Sequence, residues 1–447
     1  MNKKSDILKN IGNFSEIESF SYSTVYNSLY ENVKYVEINS LEEYISCVTK
    51  AIDSYHKLSF RGEADFYEKT EASAFRKKFV SSTPDFLKKE YFKEIGHTLN
   101  SIERENFIAY AQHHGLPTEL LDITGSPLYA LFFACSEESI SNIGVVHVIN
   151  IEQTINFSDL IVSESELKFD QSINLAELAY NYYIKENFEK NPFLKIVPDF
   201  LSENSNYSRY LLGELAVYIN DIQKFCSIRV KDQLKIREKE ILSSLSELED
   251  EYPKYEILAE FGRKIVSVVK EQPNNPSLKF EKIITFNDYK FNADLIRVYL
   301  ELFGLAYSLF ELILNDLSFG DTENKIFSGI NLKENVAFNE FVEKNSIPPF
   351  PLVRYSSSVK FDRIKTQEGE FIYQCYYVCK VMTLIDGEES KKDTEIFLCP
   401  QTIKPNIKLI IMDKEKILRQ LDFMGVNRKL IYPDSDNIAK YLRDKYI

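Results

Sequence analysis

Tryptophan is absent from this chain, and histidine occurs only five times in 447 residues. So few imidazoles leave no material for a histidine-rich metal centre. The six cysteines, Cys47, Cys135, Cys226, Cys375, Cys379 and Cys399, lack the spacing of a disulfide framework, which suits a reducing compartment. Cys375 and Cys379, separated by three residues in a strand-like run, share one strand face and do not form a zinc knuckle. No apolar run approaches the length of a membrane span, and the opening MNKKSDILKN has no secretory core. A cytoplasmic protein without membrane contact is expected. Neither a phosphate-binding GxxxxGK[ST] loop nor a Ser-His-Asp order occurs. Basic charge is also in deficit. The net charge of −14 disfavours a broad grip on nucleic acid and leaves room only for a local basic cleft.

Length and aromatic rings are present instead. At 44% hydrophobic and 27% charged, the chain has the make-up of a globular protein with two or more lobes. Its aromatic packing rests on 28 Tyr and 32 Phe. A chain this long buries enough apolar surface to need neither metal nor disulfide. Residues 1–35 read as a polar lead-in. Residues 36–150 mix helix and strand signals. Residues 151–350 are mostly helical, with patterns at Leu175–Phe188, Leu211–Phe225, Val230–Leu248, Tyr255–Glu271 and Asp294–Leu314. Residues 351–447 return to strands and close on a helix. The charge-rich run Lys231–Asp250 reads either as a structural helical insertion or as a partner-binding or lid element. The fold class expected is α+β: a small mixed sheet from the two flanking parts, interrupted by a large helical insertion.

Within this frame, Leu41–Ile52 has helical apolar spacing with Ser40 as cap. His56–Glu63 predicts a short strand ending in Arg61 and Gly62, with the guanidinium reaching a cleft while the backbone turns away. Thr83–His97 and Leu99–His113 predict helices. GVVHVI over 144–149 predicts a buried strand in which His147 is a satisfied strand histidine. One strand is expected over Phe371–Leu384, and others at Glu395–Leu398, Ile407–Met412 and Lys429–Tyr432. Asp413 caps a helix that Gly425 stops, and the last helix spans Asn437–Tyr446.

The chain is organised around AQHHGLPTELLDITGSPLYALFFA, residues 111–134. A helix is expected to end at Gly115, a left-handed stop. An irregular extended run follows through Pro117. Ser126 and Pro127 then open a helix that is apolar nearly all round and therefore buried. Gln112, His113, His114, Thr118, Asp122, Thr124 and Ser126 crowd beside it, and buried polar groups need partners or a role.

Phe60-Arg61-Gly62, followed by AQHHGLPTELLDIT and PLYALFFA, resembles the FRG domain family. The likeness covers roughly residues 35–150. It resumes from Phe361-Asp362-Arg363 to Phe371 and closes on GVNRKLIYPDSDNIAKYL. Two positions depart from the family pattern: Glu119 stands where the family usually has Arg, and Ile123 where it usually has Trp. The first reverses a charge beside the expected site. A second, weaker resemblance is to ADP-ribosyltransferases, carried by the order of elements. Phe60-Arg61-Gly62 comes first, then Asp122-Ile123-Thr124-Gly125-Ser126 with its buried helix, then GVVHVI, then Glu368-Gly369-Glu370 before FIYQCYYV. This likeness implies an ADP-ribosyltransferase-like mixed sheet, with NAD as co-substrate and a protein or nucleic-acid acceptor. Cleaving the nicotinamide–ribose bond develops positive charge at the ribose, which a carboxylate stabilises.

The candidate residues follow. Arg61, with Gly62, is read as a nucleotide clamp; a buried ion-pair arginine is the alternative. Glu370 is read as the catalytic carboxylate with Glu368 as substitute; solvated turn residues are the alternative. His113 is read as a proton-transfer residue and His114 as a nucleotide-binding one, against a structural imidazole–carbonyl bond. Asp122, Thr124, Ser126 and Gln367 are read as nucleotide-binding, with Arg363 in support. Asp122 and Thr124, offset by two, share a face of an extended segment. Three functions compete. One is an ADP-ribosyltransferase-like or NAD-cleaving enzyme, of intracellular-toxin or phage-defence type. Another is a non-catalytic nucleotide or nucleic-acid binding module whose helical insertion recruits a partner. The third is an interaction protein whose helical insertion forms a homo-oligomer.

Overall fold

The structure is a computed structural model. It describes residues 33–67, 69–77, 79–136, 143–156, 192–227, 230, 293–319, 336–344, 347–356, 368–384 and 392–446. The strands are β1 (Lys34–Ile38), β2 (Leu58–Glu63), β3 (Phe79–Val80), β4 (Leu120–Thr124), β5 (Gly144–Asn150), β6 (Thr154–Asn156), β7 (Leu352–Tyr355), β8 (Gly369–Tyr373), β9 (Tyr376–Leu384), β10 (Lys392–Pro400) and β11 (Ile407–Ile411). The helices before the insertion are α1 (Leu41–Ser54), α2 (Pro84–Ile95), α3 (Ser101–Glu105), α4 (Phe107–His113) and α5 (Pro127–Ser136). After them come α6 (Pro192–Glu203), α7 (Ser205–Ile222), α8 (Ala293–Phe319), α9 (Val336–Lys344), α10 (Lys414–Phe423), α11 (Arg428–Ile431) and α12 (Ser435–Tyr446). The expected helices at 175–188, 255–271 and nearly all of 230–248, together with the Arg363–Gln367 segment, lie outside the described residues.

The fold is α+β with a mixed sheet, and the sheet is large, not small. Eight strands run in the order β1-β11-β5-β2-β4-β8-β7-β6, and a second sheet orders β3-β10-β9. The parts of the chain before and after the helical insertion interleave. β11 inserts between β1 and β5, while β8 and β7 extend the sheet beyond β4. The β1–β11 and β6–β7 pairs are parallel.

Alternation sorts the side chains to two faces. On one face, Val36, Ile38, Phe60, Val146, Val148, Leu409 and Ile411 pack with residues of α1, α5 and α10. Further along that face, Leu120, Phe371, Tyr373, Val353 and Tyr355 share a core with α7, α8 and α9. On the opposite face, Leu121, Ile123, Ile149 and Ile372 meet Phe75, Tyr376, Leu398 and Ile403. α5 comes unusually close to the sheet because two strand residues there have no side chain. A Cβ on Gly62 would lie 1.9 Å from the Ala130 carbonyl oxygen, and one on Gly144 would lie 2.2 Å from that of Ala134.

Three local expectations change. The helix expected over Leu99–His113 breaks at Asn106, whose side-chain oxygen accepts from the Tyr355 hydroxyl at 3.2 Å. The strand expected over Phe371–Leu384 breaks between Tyr373 and Tyr376. There the buried Gln374 accepts from Ala72 N at 2.8 Å and donates to Gln401 O at 2.7 Å. Of the strand expected over Lys429–Tyr432, the first three residues are helical, because Asn427 caps α11 through the Leu430 amide.

Candidate functional site

The site forms where two strands part. β2 follows β5 through six rungs, whereas its ladder with β4 has a single rung, Phe60 opposite Thr124. β4 instead runs along β8 for five rungs. In the opening between β2 and β4 lies Arg61. Its Nη1 donates to the Asp122 carbonyl at 2.9 Å and its Nε donates to Glu63 Oε1 at 3.0 Å. A guanidinium thus stands in for the backbone donor that a continued ladder would supply. β2 does not stop at Arg61-Gly62 but runs on to Glu63. Gly62 lies on the opposite face, against α5.

Beside Arg61 is a buried polar group. His147, directly opposite Arg61, places Nε2 2.8 Å from Glu63 Oε2 and 3.5 Å from the Thr70 hydroxyl. Lys408, opposite His147, is buried with its Nζ 5.9 Å from the Tyr35 ring centroid and 5.6 Å from that of Phe66. Burial alone would raise the Glu63 carboxyl, but the His147 bond and the Arg61 charge prevail and hold it at about 2. Burial holds His147 below its ordinary range against the pull of Glu63, and Lys408 and Arg61 add to the lowering. A neutral His147 donates its Nε2 proton to Glu63, leaving Nδ1 without a partner among the described residues. Sequence reading finds His147 but not its partners; the Arg-x-Glu alternation in β2 was the available signal.

The AQHHG segment acts through Gln112. Gly115, at φ +89°, stops α4, and the Leu116 amide returns to Ala111 O at 3.0 Å. Gln112 Nε2 donates to Asp122 Oδ1 at 2.9 Å, while the Thr118 hydroxyl donates to Gln112 Oε1. His113 and His114 are exposed at the end of α4, their rings edge-on at 5.1 Å, with His114 4.4 Å from the Tyr110 ring.

At the end of β4, the Thr124 hydroxyl accepts from Ser126 N at 3.0 Å, so the corner is closed from within. Ser126 O then accepts from Ala130 N at 3.2 Å in the first turn of α5. The acidic bend adjoins this corner: Gly125 N donates to Glu368 O at 3.2 Å. Glu368 is exposed and has φ +48°, the one non-glycine residue with positive φ among those described. Such a backbone is strained for a side chain and persists only where its surroundings enforce it. A Cβ built on Gly125 would lie 3.4 Å from Glu368 Oε2, so this carboxylate stands over the corner. Glu370, opposite Ile123, pairs with Arg354 at 3.2 Å. Arg61 and Glu370 therefore occupy the same face of strands flanking β4, and Thr124 the other face.

The two departures from the FRG pattern lie under the site. Ile123 is buried with Ile372 and Leu121. Glu119 is completely buried and accepts from Lys88 Nζ at 2.6 Å; Lys88 also pairs with Asp85 at 2.8 Å. Burial pulls the Lys88 ammonium down, but the two acids outweigh it and raise it, so Lys88 stays charged. Among the described residues, no group of three or more His, Cys, Asp or Glu is placed to hold a metal ion. Likewise, no described helix is long and apolar enough to cross a membrane.

A family model for the FRG domain matches residues 56–142, which span Arg61, Gln112, Asp122, the Thr124–Ser126 corner and α5. Comparison with curated proteins and with solved structures finds no match. The matched region stops well before the acidic bend, so Glu368 and Glu370 come to the site through the fold alone. Residues 56–142 of this chain are an FRG domain.

Proposed function

We propose that this protein is an ADP-ribosyltransferase-like enzyme that takes NAD at the fork between β2 and β4. One observation carries the reading. Arg61, the Thr124-Gly125-Ser126 corner and the Glu368–Glu370 bend lie on or beside three adjacent strands, β2, β4 and β8, although the helical insertion separates the last from the others in sequence. Arg61 Nη2 takes part in neither of the bonds described above and serves a pyrophosphate oxygen. Glu368, strained and exposed, holds its carboxylate over Gly125 at the corner, whereas Glu370 is braced by Arg354. Glu368 then faces the ribose carbon whose bond to nicotinamide breaks, with the electron pair leaving on the nicotinamide nitrogen. An acceptor oxygen, from water or a macromolecule, bonds to that carbon and loses its proton to Glu368 or solvent. An enzyme that consumes NAD inside its own cell would act as a toxin or a defence effector.

The test is NAD consumption and labelling of macromolecules by purified protein. Glu368→Gln is expected to lower turnover by about a hundredfold or more, and Arg61→Ala to raise KM, both with unchanged circular dichroism. Glu370→Gln is expected to act more weakly. A native protein that neither consumes NAD nor labels anything overturns the reading. One observation favours a non-catalytic nucleotide-binding module instead: Arg61 and Glu370 already have opposite charges beside them. NAD bound tightly and never turned over would support it.

A further inference from the structure

We infer that Asp122 is the carboxylate that receives a pair of ribose hydroxyls at this fork, and that Gln112 and Thr118 position it. The inference rests on the NAD reading above. Asp122 is the single exposed residue of β4. Aspartate is disfavoured in strands, so the sheet itself does not call for it. Arg61 of β2 and Gln112 of α4 nevertheless both direct polar groups at it. Arg61 fixes its carbonyl at 2.9 Å, and Gln112 fixes its Oδ1 at 2.9 Å. Gln112 is held in turn, because the wholly buried Thr118 donates to its amide oxygen. With the oxygen committed to a hydroxyl, the amide nitrogen is the end presented to Asp122.

A single amide contributes only about 1 kcal/mol to an exposed carboxylate. Two residues in series behind such a group, Gln112 and Thr118, therefore give it direction more than they give the fold stability. Oδ2 takes no part in that chain of bonds. An ionised carboxylate only accepts, so the ligand must bring donors. Adjacent ribose hydroxyls bring two, whereas a phosphate would be repelled. Asp122 and Thr124 share a face of β4, about 7 Å apart at roughly 3.3 Å per residue. Glu368 stands over the next residue, Gly125. An extended ribosyl ligand along β4 would reach both carboxylates.

The experiment uses the full chain, with NAD and two analogues that each lack one ribose 2′-hydroxyl. The native protein is expected to discriminate against one analogue by about tenfold or more in KM. Asp122→Asn should abolish that discrimination. Gln112→Leu should raise KM for NAD with kcat retained, a split that general loosening of the fold would not give. If NAD is consumed and Asp122→Asn keeps the full discrimination, or the native enzyme shows none, the inference falls and the NAD reading stands. If the native protein does not consume NAD, both fall.

Discussion

At residue scale, Glu119 shows how a departure from a family pattern can be absorbed. An acid replaces the usual arginine in the AQHHGLPTELLDIT segment, beside the residues that form the fork. It is nonetheless fully buried, and its charge is matched by Lys88 from α2, which Asp85 also holds. Breaking a buried pair by removing one partner leaves an uncompensated charge. Lys88→Met is therefore expected to cost about 3–5 kcal/mol in urea unfolding. Glu119→Leu in the same chain should recover much of that, because the double change removes both charges. Equal destabilisation by the single and double variants would show that Lys88 acts through packing alone. The opposite ionic pattern holds at Glu63. A carboxyl held at about 2 by His147 and Arg61 lies below its ordinary range. Its stabilising effect is present above the ordinary carboxylate range and is lost as pH falls toward 2. Glu63→Gln should accordingly narrow the gap between stability at pH 6 and at pH 3.

At element scale, the helix most legible in the sequence is α5, apolar all round with Ser126 and Pro127 at its start. What the sequence does not reveal is why it packs so near the sheet. Gly62 sits inside β2, where the Arg-Gly pair reads as a strand end. In the structure its missing Cβ is the space occupied by the Ala130 carbonyl. Gly62→Ala is expected to cost about 1–3 kcal/mol, read as a lowered midpoint of thermal unfolding, because the atom it meets is backbone and cannot swing away. Caps at Ser40 and Asp413 were readable because their signals are local. The breaks at Asn106 and Gln374 were not. Both depend on partners distant in sequence, Tyr355 for the first and Ala72 and Gln401 for the second. The fork itself was hidden for the same reason. Periodicity identifies β2 and β4 as strands, but their single shared rung is a property of the pairing.

At the scale of the whole molecule, the described helices share a core with the sheet, and a buried ionic pair also ties the two. Glu214 on α7 is buried and lies 3.4 Å from Lys404, which belongs to the loop between β10 and β11. Burial drives the Glu214 carboxyl up to about 7, against the opposing pull of Lys404. Burial likewise lowers the Lys404 ammonium, with Glu214 resisting. The sign follows from which form the fold prefers. The neutral acid is favoured when folded, so below the ordinary carboxylate range this group costs nothing. As pH rises to about 7, the folded chain must either keep the proton or bury the charge, and stability is lost. Glutamine mimics the neutral acid. Glu214→Gln is expected to match the native protein near pH 5 and to exceed it at pH 8 by roughly 1–3 kcal/mol. Urea unfolding at both values measures the difference. The helical layer would then dock on the sheet most firmly in mild acid, and a native–variant gap that stays constant from pH 5 to pH 8 would remove Glu214 as the titrating group.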